Sequence, residues 1–419
     1  MPKYALMILL CLLSVSVIHA QETISPELQA LLDDIEATTS DIRELDRLEA
    51  TTLDFPTTDE LETFLITEFD EEYGEEEFAD DLLFYVALGL MKPDIDLEAV
   101  LIDFLLSQVA GFYDPETDTM NVILLSGEAP TDTIPILEQI TYSHEYVHVL
   151  QDQHFDLEAL LDRIDATENS DFQLAVISLV EGDATQAMTD FTLELAEEDP
   201  LALAAAVFSA GADVGTVTIP DTVPAVIEEE LLFPYLQGQV FVSAIRNNGG
   251  WSAIDTAFRE NLPQSTEHIY HPERYLAGDM PIEVSLGTVG ALLDDRWRLA
   301  QDTPVGEFYL RQHLGIYLDG AQVTAMTTGW GGDRINIWVD DTTGELVWVL
   351  HQVWDTPEDA TEFADGYADF LDMRFPDGNS DGTCWTAEDT VCLLQVDDMT
   401  TRITSSLDPA LALDLLLFE

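Results

Sequence analysis

Lysine is almost missing from this chain of 419 residues: Lys3 and Lys92 are the two it has, and Lys plus Arg together number 14. Against them stand 83 Asp plus Glu, for a formal net charge of −69. So little positive charge excludes a nucleic-acid surface or an anionic-lipid surface, which need basic groups to neutralise phosphate. Cysteine is scarce too. Cys11 lies in the N-terminal apolar run, which leaves Cys384 and Cys392. Two cysteines with seven residues between them can close a small loop in an oxidising compartment, and no neighbouring histidine in sequence suggests a metal pair there. Beyond the N-terminus no hydrophobic run is long enough to cross a bilayer; LALAAAVFSAGA at 201–212 is too short and reads as a core helix. Hydrophobic residues still make up 47%, which excludes a disordered acidic chain. The acidity fits a high-salt setting, where screening relieves self-repulsion.

The first residues read as a targeting segment. Lys3 precedes an apolar run from Tyr4 to Ile18, and Ile18-His19-Ala20 offers a cleavage site before Gln21. A signal peptide over 1–20 makes the chain exported, secreted or at the cell surface, with no further membrane association. Residues 21–110 carry Leu- and Glu-rich helical patterns with Ser40 and Thr58 as caps, and form either a propeptide or part of the fold.

GFYDPETDTMNVILL then reads as strand, turn, strand, with the turn at Asp114-Pro115-Glu116-Thr117. Helices are expected over about 133–153 and 170–197, and another through FPYLQGQVFVSAIRNNGGW, ended by Gly249-Gly250. After about residue 285 the texture changes. DRINIWVDDTTGELVWVLHQVW alternates as a hairpin around DDTTG, and DTPEDATEFADGYADFL is an amphipathic helix with Asp355 as its cap. The fold class is therefore α+β: mainly helical, with a central region (111–285) that opens on a small sheet before the central helix, and a C-terminal α+β region (286–419).

The central helix carries SHEYVHVLQDQH. His144 and His148, four apart, project from one helix face about 40° apart, a spacing that lets two imidazoles reach one ion at about 2.0–2.1 Å. Glu145, about 100° round from His144, flanks that ion and is placed to take a proton from its water. His154 has the spacing of a third histidine ligand, but Gln151 stands where a glycine would let the chain leave the helix. If the helix continues, His154 lies too far round to share an ion. The better third ligand is Glu181 in SLVEGDAT, 33 residues after His148. It sits among apolar residues and wants a partner. Gly182 beside it weakens a helix by about 1 kcal/mol, which close approach of a second helix would explain.

HEYVHVLQDQHFDL followed by LVEGDAT resembles the gluzincin branch of the zincin metallopeptidases, and more narrowly a group of exported, little-characterised bacterial and archaeal members. GFYDPETDTM, FPYLQG with GGW, STEHIYHPERY and GWGGDR with WDTPEDATEF extend the resemblance over most of residues 60–370. It implies a zincin-like fold and a zinc-dependent peptidase acting on peptide or protein substrates. His144, His148 and Glu181 would be its ligands and Glu145 its base. It also implies a small sheet whose edge strand binds extended substrate, a role that would suit 119–125. His271 and Tyr275 in YHPERY are the candidate donors to a developing oxyanion, His271 first. The acidic residue that many gluzincins carry four after the ligand Glu is here Thr185, so the group that orients the first histidine is open; Asp183 would point to the other side of a regular helix. A non-enzymatic, cation-binding surface protein on the same scaffold is the alternative, and the intact Glu145 argues against it.

DGNSDGTCWTAE at 377–388 fits a calcium-loop template through Asp377, Asn379, Asp381 and Glu388. A weak structural Ca2+ is expected there, although VCLLQV after it reads as a strand and not a helix.

Overall fold

A computed structural model describes residues 24–72, 74–108, 111–115, 117–124, 130–209, 220 and 222–418. The expected signal peptide at 1–20 lies outside them. Helix α1 (Pro26–Arg43), capped by the Ser25 hydroxyl, is followed by the short strand β1 (Thr52–Asp54) and helices α2 (Thr58–Glu72), α3 (Glu75–Ala87) and α4 (Leu97–Gln108). The hairpin β2 (Gly111–Asp114) and β3 (Thr119–Val122) leads into α5 (Ile136–Phe155). Then come α6 (Leu157–Asp165), α7 (Ser170–Glu198), α8 (Pro200–Ser209), α9 (Ala225–Gly249), α10 (Trp251–Glu260), α11 (Thr266–Tyr270) and α12 (Pro272–Ala277). The C-terminal part runs β4 (Arg298–Thr303), α13 (Gly306–Gly315), α14 (Gly320–Thr327), β5 (Trp330–Asp340), β6 (Glu345–Trp354), α15 (Pro357–Arg374), β7 (Asn379–Ser380), β8 (Cys384–Thr386), β9 (Thr390–Asp397), β10 (Thr400–Ser406) and α16 (Pro409–Leu416).

The α+β class and the main elements agree with the sequence reading, and four details differ. In the three-stranded sheet the order is β1-β3-β2, with β1 parallel to β3. Residues 119–122 are thus the central strand, and the edge beside the central helix is β2. Ser40 and Thr58 do not cap, since Ser40 lies inside α1 and the Thr57 hydroxyl accepts from Glu60 N ahead of α2; nor does Asp355 cap α15, where the Thr356 hydroxyl accepts from Asp359 N and Asp355 pairs with Arg274. Helix α8 is not core, since Leu201 and Phe208 are 81% and 88% exposed.

The second sheet is antiparallel, in the order β4-β5-β6-β10-β9-β8-β7. Its β5–β6 hairpin turns through Asp341–Gly344, with Gly344 at φ 74°, as the period-two pattern requires. Cys384 and Cys392 are disulfide-bonded across β8 and β9. One contiguous cluster joins Leu61 and Leu101 from the N-terminal helices, Val147 and Leu179 from α5 and α7, and Trp330 and Phe363 from the C-terminal part. The three segments distinguished by sequence texture therefore share a core.

Helix α7 is anchored into that core at its first turn. Buried Asp171 accepts from the backbone N–H and the hydroxyl of Thr266, and backbone Gly306 packs against its carboxylate so closely that no side chain fits there. Burial pushes the Asp171 carboxyl up to about 7, and Asp333 adds to the rise against the Thr266 hydrogen bonds. A pKa raised on folding stabilises below the unfolded value of about 3.9, and that stability is lost as pH climbs through the folded value. Asp171→Asn keeps the acceptor and does not titrate. Its stability relative to wild type is expected to climb between about pH 4 and pH 7, by no more than about 1.4 kcal/mol per pH unit, and to level above. Urea melts across that range check this; a flat difference would refute it.

Candidate metal centre

Helix α5 follows Pro135 and continues without a break to Phe155; Asp156, at φ 60°, ends it and caps α6 through Ala159 N. From Tyr142 to Gln151 every residue is buried. This is the inner helix of the fold, with the β2–β3 hairpin, α1 and α7 packed around it. Because the helix runs through Gln151, His154 is carried away from the site, and its Nε2 meets the Asp46 carbonyl at 2.8 Å.

His144, His148 and Glu181 converge. The Nε2 atoms of the two histidines are 3.2 Å apart, and Glu181 Oε2 lies 3.2 Å from His144 Nε2 and 3.5 Å from His148 Nε2. A tetrahedral ion with bonds of about 2.0–2.1 Å would separate its ligand atoms by about 3.3 Å, so the three donors stand at the spacing zinc requires. Two imidazoles and one carboxylate are also the donor set that suits zinc better than calcium or magnesium. Burial would raise the Glu181 carboxyl, but His148 and His144 hold it down to about 2. In return, Glu181 lifts His148 to about 9 although burial opposes the change. The spot favours positive charge, which a proton or a metal cation supplies.

Glu145 faces the same cavity, which Tyr235 and residues Gly111–Tyr113 of β2 also line, with Leu157, Leu161 and Val180 as apolar wall. Burial raises the Glu145 carboxyl above the usual carboxylate range, Glu181 adds to this, and the two imidazoles oppose it. Strand β2 passes so near that a Cβ on Gly111 would stand 2.9 Å from Glu145 Cγ.

Three features were not read from the sequence. Tyr235 on α9 stacks on the His144 ring, with centroids 5.9 Å apart and planes at 28°, and lines the same cavity. Gln151 holds His148 through Nδ1 at 2.8 Å. Among the described residues His144 Nδ1 has no hydrogen-bond partner, and neither has the buried hydroxyl of Thr185, four positions after Glu181.

The other candidates lie elsewhere. His271 Nε2 pairs with Glu307 at 3.2 Å, and the Tyr275 hydroxyl donates to the Asn261 carbonyl at 2.6 Å; neither lines the cavity. The calcium-loop residues are drawn into a hairpin. Asn379 pairs with Thr386 across β7 and β8, and Asp381 accepts from the Thr383 and Cys384 backbone at 2.9 Å each. Among the described residues, Asp377, Asp381 and Glu388 form no converging group of the kind His144, His148 and Glu181 form.

A family described as a domain of unknown function (DUF8575) matches residues 296–414, the C-terminal sheet with its helices, and does not reach His144, His148 or Glu181. No curated protein and no solved structure matches the chain.

Proposed function

We propose that the protein is an exported zinc-dependent peptidase of the gluzincin kind, cutting within extended peptide or protein chains. The observation that carries this reading is the convergence of His144, His148 and Glu181 beside a buried Glu145 that is not one of the three. Zinc held by the trio would act as Lewis acid toward the scissile carbonyl and bring a water's pKa to about 7. Glu145 takes a proton from that water as its oxygen attacks the carbonyl carbon, then delivers the proton to the nitrogen as the C–N bond breaks. Its raised pKa suits a group that must hold a proton between the two steps. Tyr235 takes the place of His271 and Tyr275 as the donor toward the developing oxyanion, because it lines the cavity and stacks on His144 while they lie outside it. Among the described strands β2 is an edge and would offer backbone groups to an extended chain, and Leu157, Leu161 and Val180 would accept an apolar side chain. The disulfide suits an oxidising compartment.

Metal content tests the reading. Wild type is expected to hold about one zinc per chain, His154→Ala to keep it and Glu181→Ala to lose it while remaining folded. Zinc-free wild type, or loss with His154 in place of Glu181, would overturn it.

A further inference from the structure

His148 is tied, through two side chains, to the last residue of the N-terminal helix. Gln151 Nε2 donates to the Val180 carbonyl and to Asp183 Oδ2, both at 2.9 Å. Those two acceptors fix the amide, so its Oε1 is the atom that faces His148 Nδ1 at 2.8 Å. His148 therefore carries a hydrogen on Nδ1, and Nε2 is the atom turned to Glu181 and His144. Asp183 is held in turn: its Oδ1 receives Arg43 Nε at 2.7 Å, and both side chains are wholly buried. The other arm of the guanidinium reaches Asp255 at 2.9 Å, and its plane lies 4.7 Å over the Trp251 ring. Arg43 is thus fixed on three sides and can serve as a rigid counter-charge.

We infer that Arg43 is a positioning residue for the metal centre, acting on His148 through Asp183 and Gln151, and that α1 is a permanent part of this site and not a segment to be shed. The inference rests on the zinc reading above. Without Arg43 an ionised Asp183 has no counter-charge in a dry interior and turns away toward water. Gln151 is then held by Val180 alone, and the His148 ring loses its fixed orientation. Outer partners of this kind set metal affinity by about 10–100-fold.

The test is zinc affinity by chelator competition on the full chain, with urea melts of each metal-free variant beside it. Arg43→Met, which keeps volume and loses charge, is expected to weaken zinc about tenfold or more. Gln151→Met is expected to do the same, and in that background Arg43→Met should weaken zinc no further while still lowering stability. That non-additivity is what a merely structural arginine would not produce. Zinc affinity within twofold of wild type in folded Arg43→Met, or two losses that multiply, overturns the proposal. Should Arg43→Met fail to fold, Gln151→Met leaves the ion pair intact and decides alone: a tenfold loss supports the relay and affinity within twofold of wild type overturns it. Wild type that binds no zinc removes the metal centre itself, and the relay falls with it.

Discussion

Glu145→Gln is expected to lower peptide-bond hydrolysis by about 10²–10⁴-fold while zinc stays bound. The two halves of this expectation come from different features. Zinc stays because Glu145 is not among the three converging donors, whose side chains the substitution leaves untouched. Hydrolysis falls because the amide has nearly the shape of the carboxylate but cannot take the proton from water or return it to the leaving amine. Glu145 suits the task through its surroundings: burial raises its pKa, and the two imidazoles oppose the rise without cancelling it. Its place is set by the backbone of β2, since Gly111 leaves room that a methyl group would fill. Gly111→Ala should therefore act as a milder companion, pushing the carboxylate aside with zinc retained. Rates on a labelled unfolded protein, with zinc measured on the same samples, decide the matter. A glutamine variant with more than about a tenth of wild-type activity would end the role of Glu145 as base.

Much of this site was legible because it is local. The i, i+4 histidines and the glutamate between them need only a helix, and an acidic residue within VISLVEGDAT shows itself by its apolar company. The β5–β6 hairpin was legible for the same reason, a period of two over many residues. What escaped depends on partners distant in sequence. Arg43 meets Asp183 across 140 positions, and nothing in either local pattern announces it. Tyr235 sits in FPYLQG beside Phe233, which is the more buried of the two, so the sequence does not say which ring faces the histidines. The mistaken edge strand has a similar cause: β1 has three residues, too few to carry a pattern, yet its pairing makes β3 central. The calcium template meets a different backbone. It counts residue types and assumes a helix–loop–helix backbone, whereas β7, β8 and the disulfide make a hairpin there. Helix α8 was misjudged because an apolar composition all round says nothing about how many neighbours cover it.

Gly182→Ala should destabilise the protein and loosen the metal centre together, against what helix propensity alone predicts. Alanine in place of a helical glycine is worth about 1 kcal/mol of added stability where nothing else changes. Here the added Cβ would lie 2.8 Å from Gly238 Cα and nearer still to its carbonyl, and a Cβ on Gly238 would in turn meet the Ser178 backbone. Backbone against backbone leaves no side chain free to rotate away. Helices α7 and α9 would have to part by roughly an ångström, and overpacking of this sort costs about 1–3 kcal/mol, occasionally more, so the penalty exceeds the gain. The movement also reaches the site, because Glu181 is the residue before Gly182 and Tyr235 lies on α9 three before Gly238. Metal bonds tolerate about 0.2 Å, so a shift of that size spoils the 3.2–3.5 Å spacing of the donors. Zinc affinity is expected to fall at least tenfold alongside a lower urea midpoint. A variant as stable as wild type would mean that the two helices do not cross at these glycines. Reduced stability with unchanged zinc affinity would mean that the crossing holds the fold but leaves Glu181 in place.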